Sequence, residues 1–103
     1  MAYILQSDGG ANDTYLELMG VYEESKEIIR KFPVYKQVDG PGLLFVDSGG
    51  NWVVGTDTKY AHLYSSFRPV LQSPPRTQWQ YYNFENNQWM TDETLILVPT
   101  DSS

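Results

Sequence analysis

Aromatic side chains are the main candidates for ligand binding in this 103-residue sequence. The chain contains eight Tyr, three Trp and four Phe residues. Exposed Tyr and Trp rings anchor protein interfaces and stack on sugar rings. The candidate ligand-binding residues are Trp79, Tyr81, Tyr82, Trp89, Tyr60 and Tyr64. The same rings also suit the core of a small β fold, so the sequence leaves the choice between core and surface open.

His62 is the only histidine, and the chain has no cysteine. A histidine acts as a general base or a pH switch when another group orients it. No orienting partner is visible in the sequence, so we interpret His62 as a strand histidine that shares a face with Tyr60 and Tyr64. Without cysteine or a second histidine, the sequence predicts neither a metal site nor a cofactor.

The remaining polar motifs favour a chain that is not an enzyme. Glu23 with Glu24, and Asp92 with Glu93, are adjacent carboxylates. Neighbouring residues of a strand point to opposite faces, so neither pair can flank one scissile bond. The serines lack a G-x-S-x-G setting, and the glycine pairs lack the Lys and helix of a phosphate-binding loop.

The charge balance also narrows the choice of partners. Thirteen acidic residues against seven basic ones give a net charge of −6. Nucleic acids and anionic membranes are bound through clustered Lys and Arg, whereas the basic residues here are scattered. No apolar run approaches the roughly 20 residues that span a bilayer. The predicted partners therefore include neither nucleic acid nor membrane.

Short runs rich in Val, Ile, Tyr, Phe and Trp alternate with turn residues along the chain. The predicted strand segments are Tyr15–Tyr22, Phe32–Val38, Leu43–Asp47, Trp52–Gly55, Tyr60–Tyr64, Thr77–Phe84, Gln88–Thr91 and Thr94–Val98. Gly, Pro, Asn and Asp clusters at 39–42, 48–51 and 85–88 predict turns between them. This pattern predicts a single all-β domain over residues 1–103, an antiparallel sandwich or barrel-like meander with a flexible tail from about residue 99.

Residues 15–31 fit two different structures. Tyr15, Leu18, Met19 and Tyr22 have helical spacing, whereas the Gly20-Val21-Tyr22 run interrupts a helix and favours a strand. We predict a strand through Tyr22, followed by a helical turn or loop over 23–31. A short helix is the alternative.

The most continuously apolar runs predict the core. Residues expected to be buried are Leu44, Val46, Trp52, Val54, Leu95 and Leu97. Alternation in the segment 77–84 places Trp79 and Tyr81 on one face of a strand and Tyr82 on the other.

Four motifs follow one another in an order that resembles a known module. They are Gly20-Val21-Tyr22, Pro33-Val34-Tyr35, Trp52-Val53-Val54, and the pair Trp79 and Trp89. The pattern G-x-Y…P-V-Y…W-x-V…W resembles a short aromatic-rich β module that recurs in large multidomain eukaryotic and protist proteins. The resemblance implies an all-β fold. The module has no assigned activity, so the resemblance implies no site residues.

Two functions therefore remain as hypotheses. The first is a non-enzymatic interaction module that binds a protein partner or associates with itself, because interfaces are enriched in Tyr and Trp. The second is a carbohydrate-binding module that presents its Trp and Tyr rings to a sugar.

Overall fold

The computed structural model describes residues 2–66 and 73–100, and the regular secondary structure of these residues is almost entirely β. Within them, nine antiparallel strands form one curled sheet shaped like half of a barrel. The strands are β1 (Ala2–Gln6), β2 (Gly20–Ile29), β3 (Phe32–Gln37), β4 (Leu43–Val46), β5 (Trp52–Gly55), β6 (Leu63–Ser65), β7 (Trp79–Asn83), β8 (Gln88–Thr91) and β9 (Ile96–Thr100). The predicted all-β fold and antiparallel meander are confirmed.

The strand order in this sheet is β8-β7-β6-β5-β4-β3-β2-β1-β9. Strands β1 to β8 therefore follow one another as neighbours, and only β9 returns to the far side of β1. Leu5 of β1 lies opposite Leu97 of β9. Of the described residues, β8 and β9 form the two edges of the sheet.

Two of the predicted turns form tight hairpins. Between β4 and β5, the Asp47 carboxylate accepts hydrogen bonds from the backbone N–H groups of Gly49 and Asn51. Gly50 adopts a positive φ of 80° there, which glycine tolerates without steric cost. Between β7 and β8, the positive φ of 55° falls on Asn87, and Asn is among the residues that adopt this conformation most readily.

The prediction of a helical turn or loop over 23–31 is wrong, because β2 continues to Ile29. A two-residue turn then reverses the chain, with φ of 54° at Arg30 and 73° at Lys31. Such turns usually contain Asn-Gly or Asp-Gly, so Arg30-Lys31 carries no local turn signal. A bulge between Glu24 and Ile28 also interrupts the pairing with β3 and explains the irregular sequence pattern.

The helical residues lie before the predicted helical turn at 23–31. The helix α1 covers Gly10–Thr14, where the sequence predicted a loop, and a 3-10 turn follows at Leu16–Leu18. The predicted strand from Tyr15 therefore begins only at Gly20. A side chain at position 10 would collide with the Tyr81 hydroxyl, so only glycine lets α1 pack this closely on β7.

Buried Asp92 ties α1 to the turn before β9. One carboxylate oxygen accepts hydrogen bonds from the Ser7 hydroxyl at 2.6 Å and the Ala11 N–H at 3.1 Å. The other accepts from the Thr94 N–H at 2.9 Å and the Thr94 hydroxyl at 2.6 Å. Burial alone would raise the pKa of Asp92, but these bonds favour the charged form and hold the pKa below its usual value.

The main core lies on the side of the curled sheet that α1 covers, which we call the inner face. All six predicted core residues are buried: Leu44, Val46, Trp52, Val54, Leu95 and Leu97. They join one apolar cluster that also contains Ala11 of α1 and Leu18 of the 3-10 turn. A smaller cluster of Val34, Phe45 and Val53 lies on the opposite, outer face, and Tyr64 packs against it.

The end of the described chain is ordered into the sheet. β9 extends through Pro99 to Thr100, so it includes the first two residues of the predicted tail, and residues 101–103 lie outside the described part. The basic residue Arg68 also lies outside it. None of the described helices is long and apolar enough to cross a membrane.

Candidate ligand-binding site

The structure separates the six predicted site residues into two groups. Trp79 and Tyr81 point to the inner face, where they are 1% and 8% exposed. The Trp79 indole N–H donates to the Pro75 carbonyl oxygen at 2.9 Å, so its polar atom is also satisfied internally. These two residues belong to the core, and we exclude them from the candidate surface.

The other four predicted residues lie on the outer face. Tyr60 is 69% exposed and Trp89 is 41% exposed, while Tyr64 and Tyr82 are half-buried. They come from β6, β7, β8 and the loop that precedes β6. The alternation of side chains along β7 thus places Tyr82 opposite to Trp79 and Tyr81, as predicted.

Ring contacts join the outer aromatic side chains into one continuous surface. The ring centroid of Trp89 lies 4.7 Å from that of Tyr64 and 5.4 Å from that of Tyr82, with interplanar angles of 82° and 72°. Tyr82 and Trp89 are also direct cross-strand partners in the β7–β8 ladder. Edge-to-face contacts of this kind are a preferred arrangement of aromatic pairs. Trp89 is therefore held upright between two tyrosines on the edge strand.

The surface continues from Tyr82 toward α1. The ring centroids of Phe84 and Tyr82 lie 5.6 Å apart, and those of His62 and Phe84 lie 6.5 Å apart. We call the set Tyr64, Trp89, Tyr82, Phe84 and His62 the outer aromatic strip. Its members come from three separate chain segments, and antiparallel pairing of β6, β7 and β8 brings them together.

Tyr15 packs against two residues of this strip, His62 and Phe84. Its ring centroid lies 5.2 Å from that of His62 and 5.7 Å from that of Phe84. Its hydroxyl donates a hydrogen bond to the Tyr82 carbonyl oxygen at 2.6 Å. Burial raises the pKa of Tyr15 to about 12, with a further contribution from Glu17. The hydroxyl therefore stays protonated at neutral pH and keeps its hydrogen bond to the backbone of β7.

Two shallow cavities flank Trp89, which forms a wall of both. The first cavity has a volume of about 250 Å³ and is lined by Asp47, Asn51, Val53, Ala61, Tyr64 and Trp89. The second has a volume of about 310 Å³ and is lined by Tyr60, Ala61, His62, Tyr82, Phe84 and Trp89. We call them the polar cavity and the aromatic cavity. The polar cavity contains a carboxylate and an amide, whereas five of the six residues that line the aromatic cavity have ring side chains.

Local hydrogen bonds hold the walls of the aromatic cavity. The Asp57 carboxylate accepts hydrogen bonds from the backbone N–H groups of Lys59 at 2.7 Å and Tyr60 at 3.1 Å. These bonds shape the loop that carries Tyr60. The Tyr82 N–H donates to the His62 carbonyl oxygen at 3.0 Å. The opposing walls are therefore joined through the backbone, so the cavity is present before any ligand binds.

Sequence reasoning found Tyr60, Tyr64, Tyr82 and Trp89 but missed the other parts of this surface. Phe84 ends the predicted strand 77–84 but is not among the candidate residues, and the structure places it in the turn that follows β7. His62 was interpreted as a strand histidine without a function, although the structure places it in a cavity wall. Asp47 ends the predicted strand 43–47, and its position beside Tyr64 depends on how β4, β5 and β6 pair.

Among residues 2–66 and 73–100, no three His, Cys, Asp or Glu side chains form a group that could hold a metal ion. No protein-family model matches the chain, and no curated protein or solved structure shows significant similarity to it. The resemblance to a recurrent aromatic-rich module consequently stays a prediction.

Proposed function

We propose that this chain is a non-enzymatic interaction module whose outer aromatic strip, together with the adjoining edge of β8, binds a protein partner. One observation carries the proposal: the exposed Trp89 belongs both to the strip and to the strand that ends the sheet. Aromatic anchors surrounded by other contacts dominate the binding energy of protein interfaces. An edge strand adds backbone hydrogen bonds to an extended segment of a partner.

The two edges of the sheet differ in how well they are protected. Natural sheets protect their edges with charged residues, proline or a covering segment. The β9 edge contains Pro99, and the Leu97 N–H donates to the Arg76 carbonyl oxygen at 2.9 Å. The β8 strand, Gln-Trp-Met-Thr, has neither charge nor proline. Among residues 2–66 and 73–100, an edge without these protections lies beside exposed aromatic rings, which supports β8 as the strand that receives a partner.

Selection from a displayed peptide library tests this proposal. Peptides selected on the parent protein are expected to lose at least about tenfold in affinity on Trp89→Ala, because interface Trp anchors commonly contribute 2 kcal/mol or more. Ile28→Ser is the matched control, since Ile28 is a 70% exposed apolar residue on the distant β2–β3 hairpin. Bound peptide should also slow hydrogen exchange at the β8 amides that point away from β7. No enrichment, or selected peptides that bind Trp89→Ala equally well, would contradict the proposal.

The composition of the polar cavity supports a second candidate, carbohydrate binding. Asp47 and Asn51 lie beside the rings of Tyr64 and Trp89, and a sugar site combines hydrogen-bonding groups with a stacking ring. However, one Asp47 oxygen already accepts two backbone N–H groups, and the Asn51 side-chain amide donates to the Ser65 carbonyl oxygen at 2.9 Å. These internal bonds reduce what the cavity offers a sugar, so protein binding has the stronger support.

A glycan array followed by fluorescence titration separates the two functions. A sugar bound in the polar cavity should quench Trp89 fluorescence, and the quenching should disappear in Tyr64→Ala but persist in Tyr60→Ala, because Tyr60 lines only the aromatic cavity. If no sugar on the array gives a signal and none quenches at millimolar concentration, the carbohydrate function is excluded.

A further inference from the structure

The walls of the aromatic cavity meet at steep angles. Tyr82 makes angles of 72° with Trp89 and 76° with Phe84, and Phe84 makes an angle of 64° with His62. Tyr60 and Ala61 complete the lining. Rings at such angles can present π faces and edges to one shallow cavity instead of forming a single flat platform. A sugar ring that stacks on one aromatic face, or an extended apolar chain, makes poor use of that shape.

The π faces of aromatic rings attract cations, because the aromatic quadrupole is negative above and below the ring. Tyr and Trp walls of this kind recognise quaternary ammonium groups, in which methyl groups replace the N–H donors. An unmodified lysine ammonium is strongly hydrated, and the aromatic cavity offers it no carboxylate in exchange for the lost water. A methylated ammonium loses less hydration and gains contacts between its methyl groups and the rings.

The charge of the chain also favours a cationic ligand. The net charge is −6, and no residue that lines the aromatic cavity has a basic side chain other than the imidazole of His62. Asp57 shapes the loop that carries Tyr60, Glu85 follows Phe84 directly, and Asp47 lines the neighbouring cavity. Lys59 is the basic residue of that loop, and its charge is outweighed by these three carboxylates. These carboxylates therefore attract a positive group toward the cavity without lining it.

We propose that the aromatic cavity binds a methylated ammonium group, carried as a methylated lysine by the segment that pairs with β8. The inference rests on the proposed function, since it names the side chain that the protein partner inserts. Trp89 connects the two parts, because it lies on β8 and also forms a wall of the cavity. The strand would fix the peptide backbone, and the cavity would select the modified side chain.

Trp89 fluorescence gives a direct readout of cavity occupation. Trp52 and Trp79 are 2% and 1% exposed, so a small ligand that quenches tryptophan emission acts on Trp89. At constant ionic strength, choline and tetramethylammonium should quench, whereas the neutral isostere of choline, 3,3-dimethyl-1-butanol, should bind roughly fivefold to thirtyfold more weakly, as expected for a cation–π contribution. Equal binding of the charged and neutral compounds, or no binding of either, overturns the inference.

Peptides then identify the source of the ammonium group. A peptide with one trimethyllysine should bind at least about fivefold more tightly than the same peptide with unmodified lysine, by the same cation–π contribution. It should also bind more tightly than choline, because its backbone pairs with β8. Tyr60→Leu and Phe84→Leu keep apolar walls but remove ring faces, and both should remove the preference for methylation. Ile28→Ser should keep it.

The outcomes separate this inference from the function on which it rests. If library peptides bind in a Trp89-dependent manner but methylation has no effect, the inference fails and the interaction module stands. If choline quenches but the trimethyllysine peptide binds no more tightly than choline, the protein source is wrong, and the cavity takes a small ammonium ligand.

Discussion

Trp79 and Trp89 are the same residue type in the two strands of one hairpin, yet they have opposite environments. Trp79 is 1% exposed on the inner face, and its indole N–H is bonded to Pro75. Trp89 is 41% exposed on the outer face and stands between two tyrosines. Strand alternation and sheet curvature, rather than residue type, therefore divide the aromatic residues of this chain between a buried core and an exposed surface.

The largest expected effect is on the inner face. Trp79→Ala removes a fully enclosed ring and should lower the free energy of unfolding by about 3–5 kcal/mol, because a cavity remains where the ring was packed. Urea denaturation followed by circular dichroism measures the loss. A loss below about 1 kcal/mol would mean that the inner side of β7 is not part of a well-packed core.

A second prediction tests whether the inner side also depends on polar contacts. Asp92→Asn should lower the free energy of unfolding at pH 7 by about 1–3 kcal/mol, because an asparagine amide presents an N–H₂ group to donors that the carboxylate satisfies. Those donors are the Ser7 hydroxyl, the Ala11 N–H and the two Thr94 groups. Asp92→Ala is the companion variant, since it removes the acceptor without adding a donor.

The lowered pKa of Asp92 gives the same prediction a pH dependence. A carboxyl whose pKa is lower in the folded state stabilises the fold above its unfolded pKa, near 3.9, and loses that contribution as pH falls through the folded pKa. The parent should therefore lose more stability than Asp92→Asn between pH 5 and an acid pH below about 3. Identical pH profiles for the two proteins would show that the hydrogen bonds do not favour the charged form.

The third prediction brings the comparison back to the outer face. Trp89→Ala should lower the free energy of unfolding by only about 1–2 kcal/mol, the contribution of two aromatic pairs at a partly exposed position. Since the same atoms are deleted as in Trp79→Ala, urea denaturation of the two variants measures the effect of environment directly. Equal losses would remove the distinction between core and surface rings.

The smallest expected effect belongs to His62. Its ring lies 5.2 Å from Tyr15 and 6.5 Å from Phe84, and it is half-buried. His62→Gln should lower the free energy of unfolding at neutral pH by about 0.5–1 kcal/mol, in line with one or two aromatic contacts. A loss above about 2 kcal/mol, again by urea denaturation, would make His62 a structural centre of the outer face.

Much of this fold could be predicted where local signals and tertiary structure agree. The runs at 43–46 and 52–55 are apolar and are separated by a Gly-Gly turn, and they form β4 and β5 as expected. The β2–β3 hairpin could not be predicted in this way. Its turn residues, Arg30 and Lys31, adopt positive φ without the usual glycine or asparagine, so tertiary pairing overrides local preference there.

The candidate site was predictable only in part, for a related reason. Alternation correctly separated Tyr82 from Trp79 and Tyr81, but a period of two cannot state which face becomes the inner one. That choice depends on the direction in which the sheet curls and on α1, which covers the inner side of β7. The ring contacts between β6, β7 and β8 depend on strand register, which no single segment of the sequence specifies.

The pairing of β1 with β9 has a consequence for how the chain reaches this structure. Every other neighbouring pair in the described sheet is consecutive in sequence, whereas Ala2 pairs with Thr100. Contacts between distant parts of a chain form slowly, since the loop between them must close first. During synthesis at about 5–20 residues per second, β1 can join β2 early but stays an unpaired edge until β9 has left the ribosome. The docking of β9 is thus expected to be the late kinetic step, and the nascent chain is most prone to edge-to-edge association before that step.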